Sequence, residues 1–321
     1  MEKILPLEDS PIQTYQGETF ILDILLAHDN VKNLCYNNYI NMISSTEKDM
    51  FKFANSLWYD YENQGYAIMD MFHFRQLEKV SIIGFLKDRI DKGNYIILYQ
   101  VDEFYLSYSN KYMKLHFSHD TYIYGYGDDY FYVMAYSGRH LKKMMVPFAE
   151  MEQAILSQMS MSGDEFSTFR VNPLADIHID KNAILSGMQM FIDCVGDNQC
   201  DLFGIAIYDS LVRYVEKFIN YEGEERMIFD LRFFRAIWEH DIMMCKRIEK
   251  LSTSMNIDPS IITQAKEIES LSNMIFSMSI KIYILRDKQI MGKVKECIMD
   301  LKEKERALVE EMINVLSKSI E

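Results

Sequence analysis

Proline, glycine and cysteine are all thinly spread: 5 Pro, 13 Gly and 5 Cys in 321 residues, with 2 Trp. So little proline and no low-complexity run leave no place for a flexible linker, so the two halves of the chain are expected to pack together. The cysteines (Cys35, Cys194, Cys200, Cys245, Cys297) are odd in number, scattered, and include no CxxC pair. That excludes a disulfide framework and zinc-finger spacing, and points to thiols in a reducing compartment. No uncharged apolar run reaches about 18 residues, so no membrane span is expected. The opening "MEKILPLEDSPIQTYQGE" puts acids where a signal peptide has its apolar stretch, which predicts a cytoplasmic protein. Positive charge is also short. With 34 Lys+Arg against 48 Asp+Glu the net charge is −14, which excludes a general binder of nucleic acid or of an anionic membrane.

What is present in excess is aromatic and sulfur-bearing: 21 Tyr, 19 Phe and 23 Met. Aromatics favour strands and adaptable Met favours helix packing, so an α+β chain with a helical part is predicted. The first 150 residues read as mixed. "ETFILDILLAHDN" has Ile21, Leu22, Leu25 and Leu26 at helical spacing. "FRQLEKVSIIGFLKDRIDKGN" carries Leu77, Val80, Ile83, Leu86 and Ile90 on one face and stops at Gly93-Asn94. "YIILYQVDEFYL" is a strand, and "TYIYGY" and "YFYVMAY" form a hairpin around Gly127, Asp128 and Asp129. This order predicts an antiparallel sheet packed on N-terminal helices. Residues 151–321 read as helical apart from a short strand in "EFSTFRVNPL". Asp258-Pro259 caps one helix, and Val294, Ile298, Leu301, Leu308, Met312 and Val315 stripe the last. The expected division is 1–150 and 151–321, the second part packing on the first or forming a homodimer interface.

No P-loop, HExxH or GxGxxG occurs. "WEHDIMMC" gathers Glu239, His240, Asp241 and Cys245, but His240 and Cys245 are five apart and off one helical face, so a surface histidine and no metal site are expected. The pairs Asp102-Glu103 and Asp128-Asp129 fall at a strand end and a turn, where Asp is favoured by backbone conformation alone. His119, between Ser118 and Asp120 at the head of a strand, remains. In papain-like folds a histidine so placed is the base. A cysteine at the start of an early helix is the nucleophile, its thiolate favoured by the helix dipole. The position nearest His119 on the second hairpin strand is Tyr136 or Ser137.

The runs "IIGFLKDRIDKGNYIILYQVDEFYL" and "SHDTYIYGYGDDYFYVMAYS" resemble the N-terminal domain of the butirosin biosynthesis protein H family, papain-like proteins related in shape to C39 peptidases. The likeness spans roughly residues 10 to 150, and the later helices are similar to that family's C-terminal region. It implies an acyl or aminoacyl transferase of secondary-metabolite or non-ribosomal peptide biosynthesis. There the cysteine takes an acyl group from an acyl or peptidyl carrier protein and passes it to a small amine or peptide. No cofactor is implied beyond the carrier's phosphopantetheine. The family's cysteine would fall near Gly17 to Phe20, where "GETF" has none, and the position near Tyr136 carries no carboxylate. The expected site is therefore Cys35 as nucleophile and His119 as base, with Asn30 offering an oxyanion-hole amide. Tyr124 and Tyr136 would line the substrate site, and Arg139, in the basic patch with His140, Lys142 and Lys143, would receive the carrier. The alternative is a binding or accessory protein of the same kind of pathway, holding its ligand in a groove of Tyr122, Tyr124, Tyr126 and Tyr132. A third reading is a helical scaffold built on residues 200–321.

Overall fold

The computed structural model describes residues 2–45, 50–54, 57, 65–77, 81–138, 140–161, 165–194, 202–221 and 229–320. In chain order its elements are β1 (Lys3–Ile4), α1 (Gln16–Leu26), α2 (Leu34–Asn37), β2 (Met42–Ser45), β3 (Met50–Phe53), β4 (Ala67–His73), α3 (Ile82–Asp91), β5 (Tyr95–Asp102), β6 (Ser118–Tyr126), β7 (Tyr130–Ser137) and β8 (His140–Pro147). There follow α4 (Phe148–Met161), β9 (Glu165–Val171), α5 (Lys181–Asp193), β10 (Leu202–Phe203), α6 (Ile207–Ile219), α7 (Arg232–Ser252), α8 (Pro259–Leu285) and α9 (Lys288–Ile320). The chain is α+β, with antiparallel sheets and a helical C-terminal region, as its composition predicts. Among the described residues no helix is long and apolar enough to cross a membrane.

Two compact units share these elements. One comprises Met1–Lys32 and Trp58–Ile177, the other Asn33–Leu57 and His178–Glu321. The boundary expected near residue 150 falls inside the first, and each unit takes two separate stretches of chain.

In the first unit a sheet runs β4-β9-β5-β6-β7-β8, with β1 also paired to β6. Every pairing in it is antiparallel. The hairpin read from sequence joins β6 to β7, its turn closed by Gly127 N–H donating to Tyr130 O at 2.8 Å. β1 fits beside β6 because Gly125 has no side chain: a Cβ there would lie 2.6 Å from Lys3 O. From α1, Phe20 stacks on Tyr122 of β6 at 4.3 Å, and Leu22, Ile24 and Leu25 are fully buried. α3 begins later than its apolar pattern suggests. Ser81 caps it by accepting from Gly84 N–H at 3.2 Å, so Ile82, Leu86 and Ile90 form the buried row. Val80 lies outside the described residues.

In the second unit β10-β2-β3 form a small sheet, and five of its helices, α5 to α9, are 13 residues or longer. Asp258 caps α8 as its sequence predicts, accepting from Ser260 N–H at 2.8 Å. The α9 stripe is buried at Val294, Ile298, Leu301, Leu308 and Met312, with Leu316 rather than Val315 completing it. Arg247 of α7 is fully buried and donates to the carbonyls of Tyr36 (2.7 Å), Asn38 and Tyr39 (3.2 Å), tying the end of α2 to the bundle.

Candidate functional site

The end of β5 and the start of β6 lie side by side, Val101 opposite His119 and Asp102 opposite Ser118. Two residues earlier β5 bulges, and Gln100 takes a left-handed φ of 61°. Its N–H then donates to Asp120 Oδ1 at 3.2 Å. A strained non-glycine backbone at a strand end commonly marks a site.

Around this corner the acidic pair meets two histidines. Asp102 is fully buried. Its carboxylate lies 2.7 Å from His116 Nδ1 and accepts from Ser157 Oγ at 2.7 Å, and from the N–H groups of Phe104 and Phe117. Burial pushes this carboxyl up, but those hydrogen bonds outweigh it and hold it below the usual range. Glu103, 6% exposed, accepts from Ser109 Oγ at 2.6 Å and turns Oε1 toward His119 Nδ1, 3.7 Å away. That is beyond hydrogen-bond reach, and His119 Nδ1 is buried with no hydrogen-bond partner. The rest of the His119 ring is partly exposed. It meets Tyr136 edge-on at 5.6 Å and lies parallel to Phe117 at 6.0 Å.

The head of α1 reaches this corner. Gln16 donates from Nε2 to Asp120 O at 2.9 Å, and Tyr136 OH points at Thr14 O, 3.5 Å away. An imidazole near a buried carboxylate is a group that can in general pass a proton. The first turn of α1 contains Gln16, Gly17, Glu18 and Thr19, with no thiol.

Of the sequence-predicted site residues, His119 and Tyr136 are brought together. Cys35 is the second residue of α2, fully buried, in the second unit, whereas His119 belongs to the first. Asn30 donates from Nδ2 to Asn172 O (3.1 Å) and Ala175 O (2.9 Å). Both amide hydrogens are thereby spent on the fold, leaving none for an oxyanion. Tyr122, Tyr124 and Tyr126 are 1%, 8% and 3% exposed, so they pack inside the unit and offer little surface to a ligand. Arg139 lies outside the described residues, and Lys143 pairs with Asp9 at 2.5 Å. His240, expected on a helix surface, is fully buried. Sequence reasoning passed over His116, Asp102 and Glu103. The signal was there: an acidic pair ending one strand and two histidines leading into its antiparallel neighbour.

Asn30 does line a cleft of about 350 Å³ in the first unit, with His28, Tyr95, Gly93, Arg170 and apolar neighbours such as Val171. Tyr95 OH donates to Pro6 O at 2.6 Å, so His28 Nε2, 3.1 Å from that hydroxyl, must be the donor to it. Burial holds the His28 imidazole below its ordinary value, which favours its neutral form. Arg170 Nε is buried with no hydrogen-bond partner. The cleft thus sets Arg170, His28 and Asn30 beside apolar walls.

The chain matches no protein-family model and no curated protein.

Proposed function

We propose that this is a binding or accessory protein with a papain-like first unit whose nucleophile position is vacated, serving a peptide or secondary-metabolite pathway in the cytoplasm. One observation carries the reading. The head of α1, tied by Gln16 to the strand that bears His119, carries Gln16, Gly17, Glu18 and Thr19, with no thiol, where the family resemblance puts the cysteine. The chain keeps the base and its carboxylate support but not the attacking group, so it can grip a polar ligand without forming an acyl-enzyme. The ligand class that fits best is a small carboxylate or acylated amine, and a carrier protein is the partner that the family resemblance implies.

The rival is acyl transfer by Cys35. Native full-length protein is treated with iodoacetamide and the adducts are mapped over time. Exposed Cys194 should label readily and buried Cys35 slowly, at a rate unchanged in His119→Ala. Fast labelling of Cys35 that His119→Ala abolishes would overturn the binding reading in favour of the transferase.

A further inference from the structure

Four helices of the second unit bury two carboxylates and an imidazole in one place. His240 and Asp241 come from α7 and Glu305 from α9, and none is more than 1% exposed. One candidate ligand atom from each lies within 4.8 Å of the other two. Glu305 Oε1 is 3.0 Å and Asp241 Oδ1 3.4 Å from His240 Nδ1. Tyr208 of α6 donates to Glu305 Oε2. Ser272 of α8 faces Asp241 and donates to Glu269 O at 3.0 Å.

The imidazole is oriented from outside the cluster. His240 Nε2 is 2.8 Å from Ile40 O, and a carbonyl only accepts, so Nε2 carries the hydrogen and Nδ1 faces the carboxylates. Metal-ligating histidines are held this way, outer N–H on a carbonyl and inner lone pair on the ion. A second observation points the same way: Asp241 Oδ2 is buried with no hydrogen-bond partner. A buried acceptor left unsatisfied is rare in native proteins. Charge is also unbalanced. One imidazolium can offset one carboxylate, and Arg247, the nearby buried cation of α7, is spent on main-chain carbonyls. Burying a second carboxylate unpaired costs several kcal/mol.

We propose that His240 Nδ1, one oxygen of Asp241 and one of Glu305 bind a single divalent transition-metal ion of the zinc, manganese or iron(II) class. Bonds of about 2.1 Å set neighbouring ligand atoms about 3.0 Å apart in octahedral and about 3.4 Å apart in tetrahedral geometry. Both observed separations from Nδ1 fall at these values. A borderline imidazole with two hard carboxylates selects this class over the all-oxygen sites of calcium and magnesium.

The test uses untagged full-length protein. Metal content is measured by plasma mass spectrometry as purified, and after unfolding with chelator and refolding with Zn2+, Mn2+ or Fe2+. The expected result is about one ion per chain and a Tm that rises with added metal. Glu305→Gln and Asp241→Asn keep side-chain shape and should each cut metal content at least about tenfold with unchanged far-ultraviolet circular dichroism. Should either variant fail to fold, refolding wild-type protein with Co2+ gives a direct reading through visible ligand-field bands. Content below about 0.1 ion per chain, with no Tm shift and no Co2+ bands, would overturn the proposal. So would full metal content in both folded variants.

Discussion

Gln16 donates from its side-chain amide to the main-chain oxygen of Asp120, 104 residues further along the chain, at 2.9 Å. The residue is 8% exposed, so the bond is shielded from water. Gln16→Ala leaves that carbonyl without this donor and should lower unfolding stability by about 1–2 kcal/mol, read from the urea midpoint at unchanged slope. Gln16→Glu sets a carboxylate against a carbonyl oxygen and should cost more than the alanine variant.

Two buried aspartates of the first unit should tilt its stability in opposite directions with pH. Burial raises the Asp23 carboxyl from 3.8 to about 6, against the pull of Ser10, whose N–H donates at 2.7 Å, and of Lys143, while Asp9 adds to the rise. The folded state then holds this proton more tightly than the unfolded chain does. Its stabilisation is complete below about pH 4 and lost as pH rises through about 6, a loss of about 3 kcal/mol at most. Asp23→Asn should flatten the stability profile between pH 4 and 6 and stabilise the protein at pH 8, as followed by chemical denaturation.

Asp102 acts with the other sign. Its folded carboxyl lies below the usual range, so its contribution is present above about pH 4 and is lost as pH falls through that lower value. Asp102→Ala strips His116, Ser157 and two main-chain N–H groups of their acceptor. The expected loss is on the order of 3 kcal/mol at pH 7, shrinking toward pH 2 as the wild type loses the same charge.

Arg247→Met removes the donor for three carbonyls around residues 36–39 at nearly constant volume. Each carbonyl left unsatisfied costs about 1–3 kcal/mol, visible as a lower Tm and faster hydrogen exchange at amides 36–42. Arg247→Lys should recover less than half, because one ammonium cannot reproduce the guanidinium fork.

The Arg170 cleft, apart from the His119 corner, pairs a guanidinium with apolar walls and should take small carboxylates. Titration calorimetry with short acyl-amino acids should show binding that weakens at least about tenfold in Arg170→Ala. Equal heats in both proteins would remove this cleft from the site.

Much of the α+β frame was legible because its signals are local. The hairpin turn at Gly127, the Asp258-Pro259 cap and the α9 stripe each need only neighbouring residues to be read. β4 and the β2–β3 pair were missed, since "AIMDMFH" and "MISS" are short and their partners, β9 and β10, come 92 or more residues later. The corner at His119 was half legible. Strand position located the histidine and Tyr136, whereas the approach of Glu103 depends on the β5 bulge, which no spacing rule signals. Cys35 stood out for its residue type alone, and burial is a tertiary property that type does not encode. His240 misled for the converse reason: its five-residue spacing from Cys245 argued against a shared buried face, but four helices converge on it.

The chain leaves its first unit after Lys32, returns at Trp58 and leaves again after Ile177. On a ribosome adding about 5–20 residues per second, α2 and the β2–β3 hairpin emerge many seconds before α5 to α9 exist to cover them. Met42, Phe51 and Phe53, each 3% exposed or less in the finished protein, must wait in the open through that interval. A nascent chain of this design carries an uncovered apolar hairpin mid-synthesis, and any message truncated at Ile177 would yield a product lacking the helices of the unit to which that hairpin belongs.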